Sequence, residues 1–585
     1  MNALGPIAVA IPIATAAILI AVLDRLGRRV AETLSLAACV ATLGCCLVLV
    51  VRAATVGPVV TWLGGWGPGN PVALGIAFEI DLASAAVGSL ASAVVLAAVV
   101  FSRQYFERVG AIFYVMVLAM LGAMVAFAFT ADAFDLFVFY EIFSVAAYAL
   151  SAYRNTTKSA FTGALQFALT NTVAGLCILF AIILLEGRTG ELNFATIGHA
   201  LAGDHAPRML LAVTLGAVAI GLFTRGAIAP VHFWIDEVHA SAPTPLCIVL
   251  TGAMLPLALY GFERMYWEMF SQAVPPSPAL TGLLAGFGIL SAVVGSIMCL
   301  RETRLKRAIA FSSVAHGGVA VAAFAGCTAQ AIGGAALYVV GYAFGGAALF
   351  AATSIVSSRT GRDVDTRDSI GVGRQLRLTR IVFALGVADV GGVFVTGRSA
   401  VVAGGLSPVL QSVVLGAEIL VAAATGGAFV RAFWLIFVAR RPGATIERSG
   451  SIPAFLLGPA LGLALTPIVI SLWPHAPDVA TTAAAMLIDV RRYGDALLRS
   501  GGPPPTTDAL AVAPVWAWLG PLGALGVGAA TLTRARPMRA LRVGLARFGP
   551  FRRLVRLHDG NAGEYVGWVV GSVAVAASIC TLAKR

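Results

Sequence analysis

Charge is what this 585-residue chain has least of. Asp, Glu, Lys and Arg make up 12% of it, against 59% hydrophobic residues. Ordinary soluble domains carry about 25% charged residues. A soluble fold of this size would expose apolar surface that it has no polar residues to cover. The mean hydropathy is +0.90, which fits a chain dissolved in a bilayer. Metal-ligand spacing is also missing. The eight cysteines (Cys39, Cys45, Cys46, Cys177, Cys247, Cys299, Cys327 and Cys580) lie in or beside apolar runs, with no CxxC pair and no Cys/His ligand pattern. That excludes the usual iron–sulfur, haem and zinc sites. There is no Walker loop and no GxGxxG following a strand, so nucleotide binding is excluded as well. No catalytic site, metal or cofactor is expected, and no nucleic-acid partner. The apolar runs are continuous and do not alternate, which excludes a transmembrane barrel and leaves helices.

What the chain does have is long hydrophobic runs. A crossing needs roughly 20 apolar residues. The runs predict sixteen spans, at residues 4–23, 31–51, 80–101, 110–130, 133–153, 160–186, 209–230, 243–262, 278–300, 308–325, 330–357, 379–403, 410–438, 453–473, 511–532 and 564–582. Charges follow the first run (Asp24, Arg25, Arg28, Arg29) and do not precede it. That is the reverse of a signal peptide, so the first span is expected to be retained. The fold class is therefore all-α and polytopic.

Positive charge tests this map, because Lys and Arg concentrate in cytoplasmic loops. Of the 40 Lys and Arg, 28 fall in alternate loops beginning after span 1, nine fall on the other side, and Arg225, Arg398 and Arg431 lie inside spans. The expected location is the inner (plasma) membrane, with both termini facing away from the cytoplasm. The net charge of +12 is then a topology signal. Two long connections remain. Residues 480–498 have an amphipathic pattern and are expected on the membrane surface. Residues 533–563 form a basic loop expected in the cytoplasm.

A few polar residues sit inside the spans, where charge is costly and normally faces a cavity or a partner. Span 5 carries Glu141. Span 7 carries Arg225, followed by Pro230, His232, Asp236, Glu237 and His239. Gly221, Gly226 and Pro230 predict a loosened helix there. Span 10 begins after Lys306 and carries Ser312, Ser313 and His316. Span 12 is interrupted by Gly386, Asp389, Gly391, Gly392 and Gly397, with Arg398 adjacent, and span 13 holds Glu418 and Arg431. A buried carboxylate is either protonated or paired, and Arg225 is a partner of opposite sign for Glu141. The candidate ion-pathway residues are Glu141, Arg225, His232, Lys306, His316, Asp389 and Arg398.

Several runs resemble the antiporter-like membrane subunits shared by respiratory complex I, membrane-bound hydrogenases such as formate hydrogenlyase, and multi-subunit cation/proton antiporters. They are Phe137-Val138-Phe139-Tyr140-Glu141, Ala229-Pro230-Val231-His232-Phe233-Trp234 continuing to Ala242-Pro243-Thr244-Pro245, Leu259-Tyr260-Gly261-Phe262-Glu263-Arg264, and Leu305-Lys306-Arg307 through His316. The tail, His558-Asp559-Gly560 and Glu564-Tyr565-Val566-Gly567-Trp568, resembles the hydrogenase and antiporter type. The resemblance implies a fourteen-helix core with two inverted five-helix repeats and breaks in helices 7 and 12. On this chain that division is 1–109, 110–262, 278–438 and 453–585. It also implies an axis of charged residues along the membrane midplane.

Matched residue by residue, Glu141 stands at the helix 5 glutamate, Arg225 at the helix 7 lysine and His316 at the helix 10 histidine. Pro256 stands where a helix 8 lysine is usual, Gly341 and Gly345 where helix 11 has a histidine and a lysine, and Gly397 at the helix 12 charge. Arginine does not deprotonate in proteins, and glycine and proline carry no proton. The resemblance implies a membrane subunit of a proton- or cation-translocating complex, one that belongs to an NADH:quinone oxidoreductase, a hydrogenase or an antiporter. Its partners would be other membrane subunits, the lipid bilayer and protons or monovalent cations. The alternative is a structural, coupling subunit that keeps the fold without conducting.

Overall fold

The computed structural model describes residues 3–22, 27–64, 75–105, 111–153, 158–203, 206–361, 363–394, 407–440, 452–499 and 519–532. Two helices open the chain, α1 (Leu4–Ala21) and α2 (Arg28–Thr55). An antiparallel hairpin follows, β1 (Val59–Leu63) and β2 (Ile76–Ile80), with Thr61 opposite Phe78. Next come α3 (Leu82–Tyr105), α4 (Ala111–Phe129), α5 (Ala133–Ser151), α6 (Lys158–Thr189), a short α7 (Phe194–Gly203), α8 (Arg208–Arg225) and a short α9 (Ile235–Ser241). The centre of the chain is α10 (Thr244–Phe270), α11 (Pro278–Arg301), α12 (Leu305–Phe324), α13 (Ala329–Thr360) and α14 (Arg377–Val390). Then follow α15 (Pro408–Val438), α16 (Ala454–Leu472), α17 (Ala476–Ile488), α18 (Val490–Arg499) and α19 (Leu519–Leu532).

Thirteen of these helices are long and apolar enough to cross a membrane. They coincide with spans 1–11, 13 and 14. Span 12 is represented by α14 and span 15 by the short α19. Span 16, the basic loop 533–563, the tail motifs and Arg398 lie outside the described residues. The segment expected on the membrane surface folds as two helices meeting at Asp489. Its first helix, α17, packs on α3 and α13, and Tyr493 and Leu497 of α18 are buried.

Helices α4, α10, α12 and α13 form the centre, and every residue of α10 is buried. With no hydrophobic force between helices in lipid, close approach depends on small residues. Between α11 and α12, a Cβ on Gly288 or Gly318 would overlap the facing backbone, and one on Gly295 would overlap that of Ala315. Pro256 removes a backbone donor inside α10. The helix widens into a π turn, Leu250–Met254, just before it.

At one end of the bundle the hairpin, α7, α17 and α18 gather around Arg264 of α10. Its guanidinium pairs with Asp81 Oδ2 at 2.7 Å and Glu268 Oε1 at 3.3 Å, and lies 5.3 Å from the Tyr493 ring. Three separate stretches of chain are tied there by one buried cation. Burial drives the neighbouring Glu79 carboxyl well above the usual carboxylate range, against the pull of Arg264.

Two measurements check this packing. Gly295→Leu overpacks the α11–α12 seam and is expected to cost about 1–3 kcal/mol, seen as a lower melting temperature in detergent. Gly282→Leu, with nothing near its Cβ position, is expected to melt as the native chain does. Asp132 caps α5, accepting from the Phe134 and Asp135 amides at 2.8 and 3.0 Å, and burial pushes its carboxyl up to about 7. The folded form then holds a proton that the unfolded form has released, so this group's contribution to stability falls as pH rises from 3.8 to about 7. Asp132→Asn keeps the cap acceptor and is expected to flatten that slope in melts recorded across the window.

Candidate functional site

Helix α8 ends among buried residues. A helix end inside the protein must satisfy its freed backbone groups from within. The Gly226 and Ile228 amides donate to the Leu222 and Phe223 carbonyls at 2.8 and 2.9 Å. Trp234 Nε1 donates to the Thr224 carbonyl at 2.7 Å, and the Ala229 amide to Ser291 Oγ at 2.7 Å. The Ala229–Pro230 peptide is cis, and Ala227 has a positive φ of 54°. Gly221, expected to loosen the helix, lies within it. There it lets the Ile178 side chain and the Ala174 carbonyl of α6 come close.

The break presents Arg225, the last residue of α8, which is fully buried. Its guanidinium lies 4.3 Å from the Tyr140 ring centroid, 5.4 Å from Phe143, and 5.8 Å from both Tyr148 and Phe167. It donates to Ser144 Oγ, to Tyr148 OH at 3.4 Å and to Met254 Sδ at 3.5 Å. The pair expected between Glu141 and Arg225 is not formed. Among the described residues no carboxylate is within ion-pair distance of this arginine. Ring faces and hydroxyls hold it instead, by cation–π attraction strengthened by desolvation.

Glu141, on the adjoining face of α5, is half-buried. Its Oε1 is buried and accepts no hydrogen bond among the described residues. Gly175 of α6 makes its room, since a Cβ there would overlap Oε1. Glu141 and Arg225 are thus electrostatic neighbours with separate surroundings.

A row of polar side chains leads away from Arg225. Met254, its contact on α10, lies one turn beyond Thr251. The Thr251 hydroxyl meets His239 Nε2 at 3.1 Å, and His239 Nδ1 is 2.7 Å from the Ile235 carbonyl. Thr251 and Tyr342 both abut Gly346 of α13. Tyr342 OH is 2.7 Å from Ser312 Oγ and 2.8 Å from Ser313 Oγ, and its ring stacks on His316 at 4.3 Å. His316 Nδ1 meets Tyr338 OH at 2.7 Å and Nε2 meets Thr425 Oγ1 at 3.2 Å. Beyond it, His316, Tyr338, Tyr342 and Asp389 line a cavity of about 20 Å³, enough for one water molecule. A Cβ on Gly345 would overlap the Asp389 carboxylate. The acid of α14 therefore stands where the side chain of residue 345 would begin.

The other expected residues fall elsewhere. His232 lies in the break, its ring 4.8 Å from that of Phe233. Lys306 sits at the end of the bundle opposite the hairpin, donating to the Ala242 carbonyl at 3.1 Å beside an Arg307–Glu237 ion pair. The candidates join as two groups, Glu141 with Arg225 and His316 with Asp389. The links between them, His239, Thr251, Tyr338 and Tyr342, were not among the expected site residues. Single hydroxyls in apolar helices read as packing, and only the helix crossings bring them together.

Residues 130–398 match the family described as NADH:quinone oxidoreductase/Mrp antiporter, TM. The chain is 31% identical over 330 residues to NADH-quinone oxidoreductase subunit N of Desulforudis audaxviator, covering 55% of this chain and 63% of that protein. It is 30% identical over 267 residues to subunit N of Desulfovibrio desulfuricans, covering 45% and 52%. The chain thus spans between half and two thirds of these relatives. Two solved structures share its fold at a TM-score of 0.74. One is the Mrp complex from Dietzia sp. DQ12-45-1b, 20% identical, covering 85% of this chain and 99% of the other. The second is the membrane-bound sulfane sulfur reductase, an archaeal respiratory membrane complex, 22% identical, covering 84% and 99%. The chain is a multi-pass, all-α membrane protein that shares the fold of these two structures.

The caged arginine has a measurable signature. Breaking a buried cation–carboxylate pair costs about 3–5 kcal/mol, whereas an apolar group of similar size replacing a cation held by rings and hydroxyls strands no buried charge. Arg225→Met is expected to keep or raise the melting temperature of the purified chain. A fall equivalent to about 3 kcal/mol would reveal a carboxylate counter-ion.

Proposed function

We propose that this antiporter-like chain is a membrane subunit of a multi-subunit, proton- or cation-translocating complex of the inner membrane, and that it carries protons along the buried polar row. The observation that carries the reading is the row itself, His239–Thr251–Tyr342–Ser312/Ser313–His316–Tyr338–Asp389, running through a fold shared with subunits of such complexes. Hydroxyls and imidazoles both donate and accept, so a proton can be passed within each hydrogen-bonded group, His239–Thr251, Tyr342–Ser312/Ser313 and His316–Tyr338. A rearrangement or a water carries it across the gaps, the one between Thr251 and Tyr342 included. Asp389 supplies a titratable carboxylate at one end and Glu141 a second on the far side of Arg225. Arg225 keeps its charge throughout. It acts as a fixed positive potential that biases when Glu141 releases its proton. The Lys306 end is assigned to the cytoplasm and the hairpin end to the opposite side, following the loop charges. In this reading the chain has two five-helix halves, 110–262 and 278–438, with Glu141 in the first and Asp389 in the second. Arg398 belongs to the second half in this reading.

Proton flux through the whole complex, reconstituted in vesicles, tests it. Asp389→Asn and His316→Ala are expected to lower flux at least tenfold, and Glu141→Gln by a similar factor, with the complex still assembled. Native flux in all three variants would leave the chain the structural, coupling role instead.

A further inference from the structure

Between α2, α3, α10, α13, α16 and α17 lies a cavity of about 260 Å³. Its wall includes Leu90, Pro256, Leu259, Val340, Trp473 and Leu487. The two polar side chains on its wall are engaged elsewhere. Tyr260 OH donates to the Ala128 carbonyl at 2.8 Å and accepts from Arg264 Nε at 3.1 Å. Glu263 Oε2 accepts from Trp267 Nε1 at 3.0 Å. An ordered buried water needs two to four polar partners, and this wall offers almost none. A space of this size with this wall suits an apolar guest and not a water cluster.

The position of the cavity says where that occupant comes from. Val50 of α2 and Ile470 of α16 line it, while their neighbours Val51 and Val469 are 63% and 66% exposed on the outside of the bundle. The cavity thus borders a surface that meets lipid. Trp473, at the end of α16, lines the cavity and is 49% exposed. Tryptophan at a span end marks the headgroup level. Arg52 stands two residues beyond Val50 and donates to the Gly57 carbonyl at 3.0 Å, and the exposed His475 stands two beyond Trp473, 3.7 Å from Asp478 Oδ2. Arg52 keeps further donors for a lipid phosphate. α17 closes the cavity on the side of the aqueous phase.

We propose that this cavity is a binding site for one acyl chain of a phospholipid, taken from the leaflet at the hairpin end, with its phosphate near Arg52 and His475. Pro256 is part of the fit. An ammonium group at this position, which the family resemblance would suggest, would face a wall that cannot solvate it. The site is separate from the polar row, and its test does not depend on ion transport.

The full chain is reconstituted in phosphatidylethanolamine and phosphatidylglycerol vesicles that hold a trace of phospholipid with an acyl-chain diazirine, then photolysed and mapped by peptide mass spectrometry. Adducts are expected on the peptides carrying Leu90 and Val340, as well as on lipid-facing Val469 and Leu472. Filling the cavity with Ala336→Trp and Ala483→Trp is expected to cut the Leu90 and Val340 adducts about tenfold and leave those at Val469 and Leu472 unchanged. Ala83→Leu, a milder filling, is read in the same way if the tryptophan variant melts early. The proposal fails if the inner adducts are absent, if they survive filling, if an isoprenoid quinone displaces them, or if the inner wall cross-links to residues 564–582 of the chain itself.

Discussion

Inside a bilayer a polar group has no water to fall back on, and every part of this fold answers to that constraint. Ending α8 inside the bundle frees backbone groups there. The neighbouring Trp234 and Ser291 side chains and a tight set of turn bonds take them up. The same interruption exposes the last side chain of the helix to the interior, and that side chain is a permanent cation. Aromatic faces enclose it where a carboxylate would otherwise be required. The polar row follows the same rule, since its hydroxyls and imidazoles find partners in one another. Glu141 Oε1, buried without such a partner among the described residues, is the exception beside the row.

Much of this was legible in the residues. Long apolar runs mark crossing helices directly, because length and hydropathy are set by the thickness of the bilayer. Spans 1–11, 13 and 14 accordingly have their helices in place. The break near Arg225 was legible too, though its cause was misread at Gly221. A glycine within a helix allows either bending or close packing, and the sequence does not distinguish them. The Glu141–Arg225 pair was the natural inference from two opposite charges in one core. The room for the Glu141 carboxylate depends on Gly175 of α6, a different helix. The amphipathic stretch 480–498 looked like a surface helix because its apolar face carries no label saying whether lipid or protein will cover it.

Gly345 shows why replacement of charged residues by glycine is hard to interpret from sequence. Where a lysine is the expectation, a glycine reads as plain loss of a titratable group. In three dimensions the vacated volume is taken by Asp389 from the facing helix. The acid there comes from α14 and not from α13. The two residues lie 44 positions apart, so only the crossing of the helices reveals this.

The late position of α17 in the chain has a consequence for biogenesis. It is the last wall of the large apolar cavity, and its first residue is Ala476. The other walls all come from earlier in the chain. During synthesis a bundle without this lid stands open toward the headgroups until α16 has been inserted. Arg264 then anchors the arriving α18 through the Tyr493 ring. Whatever fills the cavity can enter while the ribosome is still at work, and afterwards through the lipid-facing side where Val50 and Ile470 line it.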